Sequence, residues 1–294
     1  MHKETTYRPT VQGMENELCK VHPVLNKGFV RVIDYMGDDA AIVQAARVSY
    51  GKGTKTPSSD RGLIRYLMRH RHSTPFEMCE IKLHVKLPLF VARQWVRHRT
   101  ANINEISGRY SILDHEFYLP DPEQLAEQLK TNRQGRGAPL PKDLAMHARG
   151  MLEGDANRVY STYEYLLNDN GEGGKKWPDL AQLTRELARI NLTLNYYTQW
   201  YWKIDLHNLF HFLSLRLDDH AQYEIRAYAQ VIEKIVSEWV PFAYEAFKDY
   251  RLNGVFFSKQ ELDEIRKNVD PEKMTYDGIK NERERRELKK KLTP

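Results

Sequence analysis

Between Cys79 and Leu87 the chain reads CEIKLHVKL, with Cys79, Ile81, Leu83, Val85 and Leu87 alternating against Glu80, Lys82, His84 and Lys86. So strict a period of two belongs to a strand with one buried and one solvated face. Such a strand needs neighbours in a sheet and a helical layer over its apolar side. GFVRVIDYM, from Gly28, reads as one neighbour, because Phe29, Val30, Val32 and Ile33 stand among polar residues. The aromatic run LNYYTQWYWKI, from Leu194, reads as another. Cys79 falls on the apolar face and is expected to be inert core.

Helical spacing fills much of the rest. DDAAIVQAARVSY reads as a helix capped by Asp38 or Asp39, and PSSDRGLIRYLMRH as a second with Leu63, Ile64, Leu67 and Met68 on one face. Thr74, Pro75 and Glu77 have the spacing of a capping box with proline at the first helical position. Pro88 opens a helix with Leu89, Ala92 and Val96 at i, i+3 and i+7, while Arg93 and Arg97 share another face. Further helices are expected over DANRVYSTYEYLL, through Leu180, Leu183, Leu187 and Ile190, over DLHNLFHFLSLRL with Asp205 as cap, and from Asp219 to Trp239, restarting at Pro241. The expectation is one α+β domain over 27–250, a mixed or antiparallel sheet flanked by helices, with an insertion around 123–154. A polar N-terminal extension, 1–26, precedes it, and a charged C-terminal extension, 251–294, follows.

Composition narrows the class. With 41% apolar and 11% aromatic residues in 294, the chain can bury a substantial core, and no apolar run approaches the ~18 residues that would span a bilayer. No membrane is expected as a partner. The first residues lack the apolar stretch of a secretory signal, and two cysteines, Cys19 and Cys79, offer no disulfide framework, so the cytoplasm is the expected compartment. A net charge of +5 is too small a surplus to indicate nucleic acid.

Where the charge sits is more informative. RQWVRHRTANINEISGRYS, Arg93 to Ser111, carries the consecutive Arg97, His98 and Arg99 and then a stretch rich in Asn, Ser and Gly, which reads as a loop able to present hydrogen-bond donors. A cationic helix end joined to a donor-rich loop suits a small anion better than an extended polymer.

Arg97-His98-Arg99, followed after seven residues by Ser107, resembles the R-H-R-x7-S signature of the flavin-dependent thymidylate synthases. ARVSY, YLMRHRHSTPFE, FVARQWVRHR, NEISGRYS and LSLRLDDHAQYEIRAYA resemble that family's segments in the family's order, over roughly Lys27 to Tyr250. The resemblance implies transfer of a methylene group from 5,10-methylenetetrahydrofolate to C5 of dUMP. FAD reduced by NADPH would supply the hydride that completes the methyl group of dTMP. It also implies a homotetramer whose active sites combine residues of several subunits.

Carried over by position, the resemblance makes Arg97, His98 and Arg99 flavin contacts, with Arg97 also near the nucleotide. Glu105, Ile106, Ser107, Gly108 and Arg109 would form the dUMP loop, with Glu105 shared with the flavin. Gln94, Trp95, Val96 and Arg189 match further dUMP positions. His72 and Thr74 match residues near the flavin ring and the folate entrance, His72 as a catalytic position. Arg216 matches the catalytic arginine facing the pyrimidine. Where the family often carries Asn and Arg near the adenine and phosphates of FAD, this chain has Asp205 and His207, with His211 one turn on.

The residues themselves agree with cofactor chemistry. No G-x-G-x-x-G fingerprint supports a Rossmann site, neither cysteine suits a nucleophile, and no evident base stands near Ser107, which reads as a phosphate or nucleotide ligand. A second reading is a metal-dependent hydrolase built on His207 and His211, with Asp218, His220 and Glu224 close behind. No H-E-x-x-H pattern supports it, and no metal is expected.

Overall fold

The alternating strand lies at the middle of the sheet. The computed structural model describes residues 8–48, 57–130 and 135–293. Expectations for Ser49, Tyr50 and the loop tip 131–134 lie outside them.

The chain opens with a one-turn helix, α1 (Gln12–Glu15), and the hairpin of β1 (Val21–Val24) and β2 (Gly28–Met36). Helices α2 (Asp39–Val48) and α3 (Pro57–Arg69) and the single turn α4 (Thr74–Glu77) lead to β3 (Glu80–Pro88). Helix α5 (Leu89–Trp95) follows at once, then β4 (Asn102–Glu105). A small ladder of β5 (Ala126–Gln128) and β6 (Arg136–Pro139) precedes α6 (Lys142–Leu167). After the turn α7 (Arg185–Ala188) come β7 (Tyr197–Asp205), α8 (Leu206–Arg216), α9 (Tyr223–Trp239) and α10 (Pro241–Phe247). These elements make one compact unit, Met1–Phe247; the other, Lys248–Pro294, contains α11 (Lys259–Asn268) and α12 (Glu282–Leu292). Within that second unit, Ser258 and Glu261 close a capping box on α11, and Asn281 caps α12.

The fold is α+β, and its five-stranded sheet, ordered β1-β2-β3-β7-β4, is antiparallel at every pairing. Leu83 stands opposite Val32 on one side and Trp202 on the other, and Val85 opposite Val30 and Trp200. All six are buried. Helices α5, α8 and α9 cover this face through Trp95, whose ring lies 5.0 Å from Trp202, 4.8 Å from Phe212 and 5.9 Å from Tyr228. Truncating a fully buried leucine such as Leu83 to alanine costs about 2–5 kcal/mol, so the period of two is what holds this layer together. Cys79 is core as expected; burial pushes its thiol up to about 12, which keeps it protonated and unreactive.

The two candidate caps of α2 divide their labour. Asp38 Oδ1 accepts from Ala41 N at 2.8 Å and caps α2, whereas Asp39 accepts from Phe242 N and Ala243 N and caps α10. Burial pushes the Asp39 carboxyl up to about 6, against those two N–H groups. Asp205 caps α8 as its position suggested, accepting from Asn208 N at 2.9 Å.

Four local expectations need correcting. Ser73, not Thr74, is the N-cap of α4, and no side chain caps that single turn, so the capping box does not form. Residues after Arg99 are not all loop, because Asn102–Glu105 adds an edge strand to β7. The spacing of Leu180, Leu183, Leu187 and Ile190 yields only α7 and a 3₁₀ turn, Arg189–Asn191; Leu187 and Ile190 are exposed and give no burial to sustain a helix. Finally, α6 begins at Lys142, well before DANRVYSTYEYLL. Among the described residues no helix is long and apolar enough to cross a membrane.

Candidate active site

The cationic segment is placed by a fixed junction. Pro88 closes β3 and, at φ −65°, starts α5 without a connecting loop. Seven residues later Trp95 is locked in the aromatic core, and the chain turns out of the helix with His98 N on Trp95 O at 3.0 Å. Arg97 and Arg99 therefore emerge on the surface with His98 half-buried between them. Helix α8 runs past this turn: the His98 ring meets Phe212 edge-on at 4.9 Å and His211 at 5.9 Å.

A cleft of about 280 Å³ opens between the two segments. Arg97, His98, Arg99 and Thr100 line one side, and Ile204, Asn208, His211, Leu215 and Arg216 the other. Burial, then the charges of Arg216 and His211, hold His98 down at about 4, so it is neutral at physiological pH. Arg216 Nε donates to His98 Nε2 at 3.1 Å, which makes Nε2 the lone-pair nitrogen and leaves the proton on Nδ1. Arg216 Nη2 donates to Gln94 O at 3.4 Å. No carboxylate pairs with Arg216 among the described residues, for Asp218 holds His220 and Asp219 holds Arg226. Half-buried and unpaired, its guanidinium is held below its usual pKa by burial.

A second cluster forms around Ser107. Its Oγ accepts from Arg109 N at 3.2 Å, and its carbonyl from Tyr110 N and Ser111 N, which closes a tight turn. Gly108 is buried, and a Cβ there would sit 3.0 Å from both Arg189 Nη1 and Leu113 Cδ1, so the absence of a side chain lets Arg189 lie on the turn. Arg109 Nε pairs with Glu186 at 3.0 Å; Arg185 Nη1 reaches Tyr110 O at 2.5 Å while Nη2 reaches Asp169 at 3.3 Å. Beneath them Tyr160 and Tyr163 bind Leu113 O and N, fixing the turn to α6.

The structure thus gathers Arg97, His98, Arg99, His211 and Arg216 in one place, and Ser107, Gly108, Arg109 and Arg189 in another. Strand β4 runs between them, and its four residues span about 13 Å. Glu105 ends that strand and accepts from Thr198 Oγ1 at 2.5 Å, while Ile106 N extends the ladder to Gln199 O. Gln94 and Val96 stand at the end of α5 without lining the cleft, Gln94 meeting Arg216 through its carbonyl; the Trp95 side chain is fully buried, and only its main chain can face a ligand. His72, just before α4, and Thr74, its first residue, are exposed, and α4 packs on α8 through Phe76 and Phe210. They do not line the cleft, nor does His207. Asp205 spends both carboxylate oxygens on Asn208. Among the described residues no three His, Cys, Asp or Glu side chains gather to hold a metal ion, so the hydrolase reading lacks its donor set.

Sequence reading missed Thr100, Asn208 and Leu215. Asn208, His211 and Leu215 stand at i, i+3 and i+7, so the helical period that placed His211 was enough to find the others.

The model of the family described as thymidylate synthase complementing protein matches residues 31–242. This chain belongs to that family. It is 59% identical to a flavin-dependent thymidylate synthase of Ruegeria pomeroyi over 94% of this chain and 89% of the relative. It is 56% identical to the flavin-dependent thymidylate synthase of Rickettsia prowazekii over 99% of each. Among solved structures, the UMP/dUMP methylase PolB of Streptomyces cacaoi, bound with 5-Br dUMP, superposes with a TM-score of 0.68 at 30% identity. That match covers 78% of this chain and 98% of the other.

Proposed function

We propose that this protein is a flavin-dependent thymidylate synthase that methylates dUMP at C5, with 5,10-methylenetetrahydrofolate as carbon donor and NADPH as reductant of FAD. The observation that carries this reading is Arg216, a half-buried guanidinium without a carboxylate, seated on neutral His98 at the wall of the cleft. Its place among the motifs that resemble the family's is that of an arginine against the pyrimidine.

The cleft's residues suit part of a flavin dinucleotide. Arg97 and Arg99 make no ion pair or side-chain hydrogen bond among the described residues, so both are available to phosphate oxygens. Thr100 and Asn208 add uncharged polar groups, and Ile204 and Leu215 an apolar surface. At about 280 Å³ the cleft sits below the usual range of roughly 300–1,000 Å³ for a drug-sized ligand, so one chain covers only a portion of so large a cofactor. That size, and the separation of the two clusters by β4, fit a site that further copies complete, and the family resemblance makes the assembly a homotetramer. The catalytic region is read as 27–250.

Bound flavin, reduced by NADPH, supplies the hydride that turns the transferred methylene into a methyl group. The protein's own share is placement and charge. Ser107, Gly108, Arg109 and Arg189 would hold the anionic nucleotide, Ser107 as hydrogen-bond donor: its Oγ has no His or carboxylate partner among the described residues and so lacks a base to make it a nucleophile. C5 becomes nucleophilic as electron density moves into the uracil ring, which places negative charge on C5 and the C4 carbonyl oxygen before that charge is spent on the new bond to the one-carbon unit. Arg216 stabilises that charge with those of its five N–H donors that His98 and Gln94 do not use. The C5 proton then leaves to a base or to solvent, and the bond from the methylene to the folate nitrogen breaks with its electron pair going to nitrogen, which frees the methylene for reduction. His72 and Thr74 are assigned to the flavin and folate side, with Glu105, Asp205, His207 and His211 as further flavin contacts and Trp95, Val96 and Ile106 contributing through their main chain. With nucleotide, folate and NADPH as reactants, the cytoplasm is the compartment that suits it.

The test is direct. Purified protein is titrated with FAD, and dTMP formation and release of tritium from [5-³H]dUMP are followed with NADPH and the folate present. Flavin absorbance with folate-dependent dTMP is the expected result; no flavin bound at micromolar concentration, or no dTMP, overturns the reading.

A further inference from the structure

Gln222 occupies the N-cap of α9, and the side chain of Gln94 reaches it: Gln94 Nε2 donates to Gln222 Oε1. This contact joins a chain of bonds, because Gln94 O accepts from Arg216 Nη2 and Arg216 Nε donates to His98 Nε2. We infer that Gln222 is a positioning residue of the methyl-transfer site, which fixes the carboxamide of Gln94 in one of its two orientations and presents Gln94 Oε1 to the nucleotide. The inference rests on the reading of this site as a dUMP-binding one.

Three observations carry it. A side-chain amide has a donor end and an acceptor end of nearly the same shape, so a half-buried glutamine is free to turn unless a partner distinguishes them. As the two amides are oriented, Gln222 Oε1 accepts from the NH₂ end of Gln94, and among the described residues Gln94 Oε1 makes no hydrogen bond. An acceptor left open beside Arg216 suits an N–H or O–H of the nucleotide, where a second donor would repel it. The main chain of Gln222 is firmly held. Its carbonyl accepts from Arg226 N at 3.1 Å, Ala221 N closes the preceding turn on Asp218 O at 2.9 Å, and Arg226 Nη1 reaches Asp219 O at 2.9 Å. Two residues on, Glu224 is buried and accepts from Arg136 Nη2, at 2.6 Å to Oε2, and from Tyr118 at 3.0 Å. With its main chain anchored on both sides, Gln222 meets Gln94 from a fixed place, and the Gln94 carbonyl meets Arg216 in turn.

Gln222→Met keeps the volume and removes the acceptor. It should raise KM for dUMP about five- to tenfold, with flavin content and melting temperature close to wild type. The decisive measurement is a double-mutant cycle: in a Gln94→Met background, Gln222→Met should add nothing further to KM, because the residue acts through Gln94. Additive effects in the cycle, or an unchanged KM, overturn the inference. So does loss of flavin or of stability with kcat/KM per bound flavin unaltered, since that is a purely structural role. Gln222→Asn withdraws the same acceptor by one methylene and serves if the methionine variant does not fold. Wild-type protein that makes no dTMP would refute the proposed function instead, and the two failures are separately visible.

Discussion

The two arginine clusters differ in what their charges already hold. In the cleft, Arg97, Arg99 and Arg216 face no carboxylate among the described residues, and Arg216 is partly desolvated. Around Ser107, Arg109 is paired with Glu186 and Arg185 with Asp169, while half-buried Arg189 has no ion pair among the described residues. An unpaired, half-buried cation is a cost to folding that persists where a ligand or a transition state supplies the missing negative charge. A paired, exposed arginine is already satisfied, and a phosphate must displace its partner. On the proposed function the first arrangement is preorganised for reaction, whereas at Arg109 the second exchanges one anion for another.

The largest effect expected from this contrast is at Arg216. Arg216→Ala should lower kcat about a hundred- to thousandfold, the ~2.7–4 kcal/mol lost with one preorganised donor, while flavin content and fold stay near wild type. Arg216→Lys keeps the charge but loses the planar fork that spans His98 and Gln94, so it should be strongly impaired as well. Single-turnover measurement of dTMP decides it. If Arg109→Ala reduced kcat as deeply, the distinction between the clusters would collapse.

Next in size are Arg97 and Arg99. Replacing either by alanine removes a charge-assisted hydrogen bond worth about 1.5–3 kcal/mol, so the Kd for FAD should rise about ten- to 150-fold by fluorescence titration. Tight flavin binding in both variants would move the flavin away from this cleft.

The first cluster was read from the family's motifs, and periodicity explains why the fold brings those residues together. Trp95 is pinned because β3 alternates and Pro88 starts α5 directly behind it, so the surfacing of Arg97 and Arg99 follows from residue counting. Asp205 marks the start of α8, and the same helical count that carries His211 to the cleft carries Asn208 and Leu215. The second cluster was harder. Strand β4, NINE, is exposed along its whole length, and an edge strand wet on both faces has no burial pattern to read. The Leu180 to Ile190 spacing suggested a helix because spacing says which side chains would share a face, not whether anything covers it; Ile190 is 77% exposed. The contact of Gly108 with Arg189 joins residues 81 positions apart and leaves no local trace.

In the second cluster Ser107→Ala should act on binding alone. The turn survives through the Ser107 carbonyl, which accepts from Tyr110 N and Ser111 N, so only the hydroxyl's contact is lost. KM for dUMP should rise roughly two- to tenfold, the ~0.5–1.5 kcal/mol of one hydrogen bond, with kcat retained at saturating nucleotide. A covalent adduct between Ser107 and the nucleotide in mass spectrometry would contradict a purely positioning role.

The smallest effect sharpens the contrast most. Arg109 and Glu186 keep 59% and 50% of their side chains exposed, and ion pairs in such a setting contribute about 0–1 kcal/mol. Glu186→Gln should therefore shift unfolding by less than about 1 kcal/mol, a change of a few degrees at most. It also removes the carboxylate that competes with a phosphate for Arg109, so KM for dUMP should fall, by no more than the roughly fivefold that about 1 kcal/mol allows. Because the pair is in solvent, raising salt to about 1 M, where the screening length shrinks to about 3 Å, should bring wild type and variant together. A KM that instead rises about tenfold, as loss of Arg109 itself would cause, means that Glu186 holds the guanidinium in its productive place. The second cluster would then be preorganised like the first, with a carboxylate where the cleft uses a neutral histidine.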